Sequence, residues 1–360
     1  MRKLALAAVL IGLTVVVLGA YVRLTAAGLG CPDWPGCYGH LSPLGAEQSV
    51  AAGAALAGAP LDVGKAWHEM IHRYAASTLV LLIVLITALA LASRHESATR
   101  SRYAVALLGI VVLQAVLGML TVTWQLEPLI VTMHLIFGLT TLGLLWWLWL
   151  SLREEEDAQG SRARASTLAG ARRVSGSAAA SGDAWRWARG LAFLGLACLA
   201  LQIALGGWTS SNYAAIACPD FPTCQGSWWP AMDYHHAFVL WRAPRVDYEG
   251  GVLANPARVA IHFTHRLGAF VTACALIAAA LAVLRNRALR SSPTRRTAAL
   301  CVLLALAAQL SIGVSMVLRG FPLWLATAHN AGAALTLLAV LALVHSLRAA
   351  PAPAPAPALA

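Results

Sequence analysis

Eight long apolar runs, set apart by shorter polar stretches, divide the chain at roughly 4–24, 67–92, 103–124, 130–152, 190–209, 258–284, 298–318 and 324–346. Each is long enough to cross about 30 Å of hydrocarbon as an α-helix. The first run follows Met1-Arg2-Lys3, as the apolar core of a signal peptide would. It is longer than the usual core of about 7–15 residues, which favours a retained helix.

Composition agrees with the pattern. Of 360 residues, 59% are hydrophobic and 11% charged, too few charges to cover a soluble protein of this size. The net charge of +11 raises the question of a nucleic-acid partner. The basic residues sit in short loops between apolar runs, which is topology rather than a phosphate-binding face. The N-terminus, the loops 93–102, 153–189 and 285–297 and the C-terminal tail hold 18 of the 26 Lys and Arg residues. The other side, with its adjoining helix ends, holds Arg23, Lys65, Arg73, Arg242, Arg245, Arg258, Arg266 and Arg319. Positive loops stay in the cytoplasm. Both termini are therefore expected there, with the long loops 25–66 and 210–257 outside. Thirteen tryptophans are ordinary for membrane interfaces.

The chain also repeats itself. Cys31-Pro-Asp-Trp-Pro-Gly-Cys37 recurs as Cys218-Pro-Asp-Phe-Pro-Thr-Cys224, and His72-Arg73 as His265-Arg266. Gln114-x-x-x-Gly118 recurs as Gln309-x-x-x-Gly313, and His134 as His329. The offsets are nearly constant, and four spans per half make this a parallel repeat. The expected architecture is all-α: a polytopic membrane protein whose eight helices form two pseudo-repeated four-helix bundles, 1–152 and 190–348. A cytoplasmic linker, 153–189, would join them. Its Ala-, Ser-, Gly- and Arg-rich part, 154–183, reads as flexible. The Pro-Ala tail, 349–360, reads as disordered.

The chemistry is concentrated on histidines. His72, His134, His265 and His329 each lie a few residues inside a span, near one depth on the extracytoplasmic side. Intramembrane ionisable groups are costly and usually functional. Imidazoles from facing helices can supply both axial ligands of a haem. A polar helix contact is the alternative for any one of them. Zinc fits less well, because neither half offers further ligands at a metal-site spacing. His68 has no repeat counterpart, and His262 aligns with Glu69. The first half thus has Glu69-x-x-His72 where the second has His262-x-x-His265. Residues three apart share a helix face, so Glu69 can point at whatever His72 holds; otherwise it is a surface group at the helix mouth. This asymmetry suggests one reactive site and one electron-transfer or structural site. Arg73 and Arg266 suit haem propionates, or snorkel to water. Gly118 lets a macrocycle or a helix approach closely, or is ordinary packing.

The paired cysteines, Cys31 with Cys37 and Cys218 with Cys224, have a spacing that permits disulfides in an oxidising compartment. A metal site is the weaker reading, with two thiols per loop. Cys198, Cys274 and Cys301 lie within spans and read as packing residues.

These residues resemble a known family. Tyr21-Val-Arg-Leu-Thr, Gly30-Cys31-Pro-Asp-Trp-Pro35, Glu69-Met-Ile-His72-Arg73, the Gln-x-x-x-Gly repeats, His134, His265 and His329 look like haem A synthase, in its branch with two cysteine pairs. The resemblance covers the chain apart from 154–183 and the tail. It departs at Thr25-Ala-Ala-Gly28, where a Gly-Ser centre is usual. It implies oxidation of the C8 methyl of haem O to a formyl group, giving haem A for terminal oxidases in the plasma membrane. It implies haem b on His265 and His329, substrate haem O on His72 and His134, and Glu69 at the reacting edge. A haem O synthase upstream and terminal oxidase assembly downstream would be its partners, with no nucleic acid. The rival readings are a two-haem transmembrane electron-transfer cytochrome and a haem carrier, neither of which needs a carboxylate beside one haem.

Overall fold

The computed structural model describes residues 1–51, 61–92, 98–167, 182–241 and 246–348. Among these, eight helices are long and apolar enough to span a bilayer. They are α1 (Arg2–Leu24), α2 (Val63–Ala92), α3 (Ala98–Thr123), α4 (Pro128–Thr167), α5 (Gly182–Ser211), α6 (Asn255–Arg285), α7 (Pro293–Leu318) and α8 (Leu323–Ser346). Short helices Pro43–Ala51 and Tyr234–Ala237 lie in the two long loops. No strand is present among the described residues.

The helices begin where backbone donors find acceptors. Glu127 Oε2 accepts from the Ile130 N–H at the start of α4, and Ser292 caps α7 ahead of Pro293. These residues satisfy first-turn N–H groups that have no partner within the helix. Leu81, Val112, Leu201, Phe270, Leu304 and Leu335 are exposed. In water that would be costly; on helices that close all their own backbone hydrogen bonds it is the lipid-facing surface.

In the first half α1 packs on α2 and α4, and α3 packs on α2 and α4; α5 to α8 neighbour one another in the same cycle. The halves meet where α4 touches α5 and α8, and where α1 touches α8. Gly207 of α5 sits against Thr132 and Leu135 of α4. Thr132 Oγ1 and Ser211 Oγ are 3.2 Å apart, and Trp146 Nε1 donates to the Leu338 carbonyl at 2.9 Å. Small residues and side-chain hydrogen bonds are what hold helices together when burial in lipid offers no hydrophobic gain.

The linker needs correcting. Helix α4 continues unbroken to Thr167, so 153–167 is helical rather than flexible, and α6's predecessor α5 already starts at Gly182. The sequence there supplies Ala, Glu, Gln and Arg, which favour helix, and α4 is about 60 Å long, well beyond a bilayer core. Arg348 and Arg2 bind Glu154 and Glu156 on this extension. The rest of the linker, 168–181, and the Pro-Ala tail lie outside the described residues.

Each cysteine loop folds into the same compact turn. Cys31 is bonded to Cys37 and Cys218 to Cys224. Residues 37 and 40, and 224 and 227, pair as isolated bridges. Between them Gly39 and Gly226 adopt φ of 78° and 73°, a conformation glycine accepts without strain. Asp33 accepts from the Tyr38 and Gly39 N–H groups, and Asp220 from those of Gln225 and Gly226. The Thr223 hydroxyl and these amides hold the Asp220 carboxyl below the usual carboxylate range, because each favours the charged form. Mass spectrometry of unreduced peptides is expected to show both intraloop links; free thiols at all four positions in protein isolated without reductant would contradict them.

Candidate functional site

The four histidines share one local construction. Each ring lies against a glycine of the helix that precedes its own in the chain. A β-carbon at Gly19 would stand 2.9 Å from His72, and at Gly118 3.1 Å from His134. At Gly206 it would stand 3.2 Å from His265, and at Gly313 3.0 Å from His329. Any side chain there would push the imidazole aside, so the glycines set the depth at which the rings sit. His72 and His134 are within electrostatic reach of each other, as are His265 and His329.

Three of the rings also meet a glutamine one turn before the glycine. Gln114 Nε2 donates to the His134 carbonyl at 2.8 Å and lies 3.4 Å from its ring. Gln309 Nε2 is 3.3 Å from the His329 ring, and Gln202 Nε2 is 3.0 Å from both Nδ1 and the carbonyl oxygen of His265. The position one turn before Gly19 is Val15, which lines the cavity beside His72. Sequence reasoning found Gln114 and Gln309 but passed over Gln202-x-x-x-Gly206, which carries the same spacing.

His72 and His134 face a cavity of about 310 Å³ chiefly among α1 to α4, with Gly207 and Ser210 of α5 and Asn330 of α8 also lining it, walled mainly by Val, Leu, Ala and Gly. Glu69 and Arg73 reach its wall from α2, and Trp34 and Pro35 of the first cysteine loop close over it. Nδ1 of His72, His134, His262 and His329 is buried with no hydrogen-bond partner. Buried polar atoms are nearly always paired, and of these four rings His72 and His134 line the cavity. Paired imidazoles on facing helices are the donor set that axial ligation of haem iron uses.

Glu69 is only 4% exposed, which removes the helix-mouth reading. Its Oε1 accepts from Arg73 Nη2 at 2.5 Å and its Oε2 from the Cys31 N–H at 2.9 Å. The disulfide loop therefore orients the carboxylate directly. At the matching place in the second half Arg266 Nε donates to His262 Nε2 at 3.3 Å. His68 stacks edge-on with Tyr21 instead.

Both arginines also bind the cysteine loops. Arg73 Nη1 donates to the carbonyls of Asp33 and Gly36. Arg266 donates to those of Cys218, Asp220 and Thr223. Their guanidinium groups clamp the cysteine loops onto the helices that carry His72 and His265.

Comparison with known proteins fits this geometry. The chain is 38% identical over 327 residues to the haem A synthase of Shewanella oneidensis, covering 91% of this chain and 90% of that one. It is 26% identical to the haem A synthase of Rhizorhabdus wittichii, over 96% of this chain and 92% of that one. It is 24% identical to that of Halalkalibacterium halodurans, over 89% and 88% of the two chains. Residues 2–341 match the family COX15-CtaA, described as cytochrome oxidase assembly protein, and the chain belongs to that family.

Proposed function

We propose that the chain is a haem A synthase, an oxidoreductase that converts the C8 methyl of haem O to the formyl group of haem A by successive hydroxylations and loss of water. The observation that carries this reading is a buried carboxylate, Glu69, in the wall of the cavity that His72 and His134 face, with an imidazole, His262, at the matching place of the other half. The N-terminal bundle, 1–152, takes the substrate haem O on His72 and His134. The C-terminal bundle, 190–348, holds haem b on His265 and His329.

The donor chemistry suits both haems, with paired imidazoles and glycines that give the rings room in each half, and the His72–His134 cavity has apolar walls. Haem b, when bound, supplies electron transfer. The chain's own residues do the rest. The Gly19 and Gly118 contacts fix the depth of the ligands, and the mainly apolar wall disfavours water beside them. The Arg73 guanidinium and the Cys31 N–H hold the Glu69 carboxyl in place. A charged carboxylate there can stabilise positive charge at the methyl carbon or take up the proton released as it is hydroxylated.

Both termini are cytoplasmic in this reading and the haem sites lie toward the extracytoplasmic face. A haem O synthase delivers the substrate, and the product goes to terminal oxidase assembly. An electron-transfer cytochrome or a carrier would make no new pigment. Haems extracted from haem O-producing cells are expected to include a formyl-bearing haem only when this chain is present. Haem O alone in both extracts would overturn the assignment.

A further inference from the structure

We propose that Arg23 binds a propionate carboxylate of the substrate haem and is the residue that makes the first cavity prefer a porphyrin acid over its ester. This rests on the reading of the His72–His134 cavity as the substrate site.

Arg23 lies in the last turn of α1, four residues beyond Gly19, on which the His72 ring rests. Residues four apart share a helix face, so the guanidinium stands one turn above the ring, toward the helix end. It lines the same cavity as His72, His134 and Glu69.

Its donors are only partly used. Nη2 donates to the Ser210 carbonyl at 2.7 Å, and the group lies over the Tyr213 ring at 4.0 Å. Nε is buried with no partner. Arg23 makes no ion pair among the described residues. Glu249, the carboxylate that acts on it, pairs with Lys65 at 3.6 Å. A guanidinium carries five N–H donors in a planar fork. Leaving the buried Nε of this half-buried cation without an acceptor is costly. A carboxylate arriving with a ligand would supply both the missing acceptor and the counter-charge.

The other cation in this wall, Arg73, is committed to Glu69 and to loop carbonyls. In the second half the residue four beyond Gly206 is Ser210, so the cation is peculiar to the first site.

The test uses the purified full-length protein with its resident haem. Ferric haem b and its dimethyl ester are titrated into the first site and followed by Soret difference spectra, with His72→Ala defining the signal from that site. Wild type is expected to bind the acid more tightly than the ester. Arg23→Gln is expected to weaken binding of the acid by about tenfold or more while leaving the ester within about twofold, and Arg23→Lys to recover part of the preference. Equal weakening of both probes would show a purely structural role at Ser210, and unchanged binding of the acid would show no role; either overturns the proposal while the site reading stands. Titration unaffected by His72→Ala and by His134→Ala would overturn the site reading, and the proposal with it.

Discussion

Glu69→Gln is expected to leave a folded protein that keeps its His265–His329 haem but forms haem A slower by on the order of 10²–10³. The substitution preserves shape and one acceptor oxygen, so either the Cys31 N–H or Arg73 keeps a partner. Arg73 also retains its bonds to the Asp33 and Gly36 carbonyls, which holds the loop in place. What is lost is the carboxyl's capacity to carry negative charge or exchange a proton at the reacting edge. Haem binding in this architecture does not itself need that charge, since the second half has His262 there. A hydroxylated intermediate is expected to accumulate. Pigment analysis in cells supplied with haem O, beside a His72→Ala control, measures this. Wild-type haem A from Glu69→Gln would remove the catalytic role.

His265→Ala and His329→Ala are each expected to abolish the resident haem signal of the purified protein or convert it from low-spin to high-spin. Both rings rest on glycines and both touch a glutamine, Gln202 and Gln309. Metal-ligating histidines commonly have a second partner that fixes ring orientation. The first pair has only one such glutamine, with Val15 facing His72, which suits a site that exchanges its haem. Optical and EPR spectra of the single variants decide the matter. Unchanged spectra in both would exclude this pair as ligands.

The eight spans, the cysteine pairs and the placement of the four histidines inside spans are legible in the amino-acid pattern alone. Transmembrane runs are legible because an apolar stretch of fixed length is the only way a helix crosses hydrocarbon. Cys31 with Cys37 and Cys218 with Cys224 are legible because six-residue separation is a local constraint. The stretch 154–167, a helical part of 154–183, differs for a related reason. Low complexity was weighed above the helix preference of its Ala, Glu and Arg residues, and α4 runs through it. Only the tertiary structure decided how the polar groups are spent. Arg73 and Arg266 look alike whether they meet propionates, water or loop carbonyls, and the carbonyls that accept from them lie some forty residues away. Arg23 finds its acceptor 187 residues distant, in the other half. Glu69 is fixed by a backbone N–H in a disulfide loop 38 residues earlier. Hydrophobic burial is set by composition along a run. A hydrogen bond needs a donor and an acceptor about 3 Å apart and aligned, and that coincidence exists only once the helices have packed.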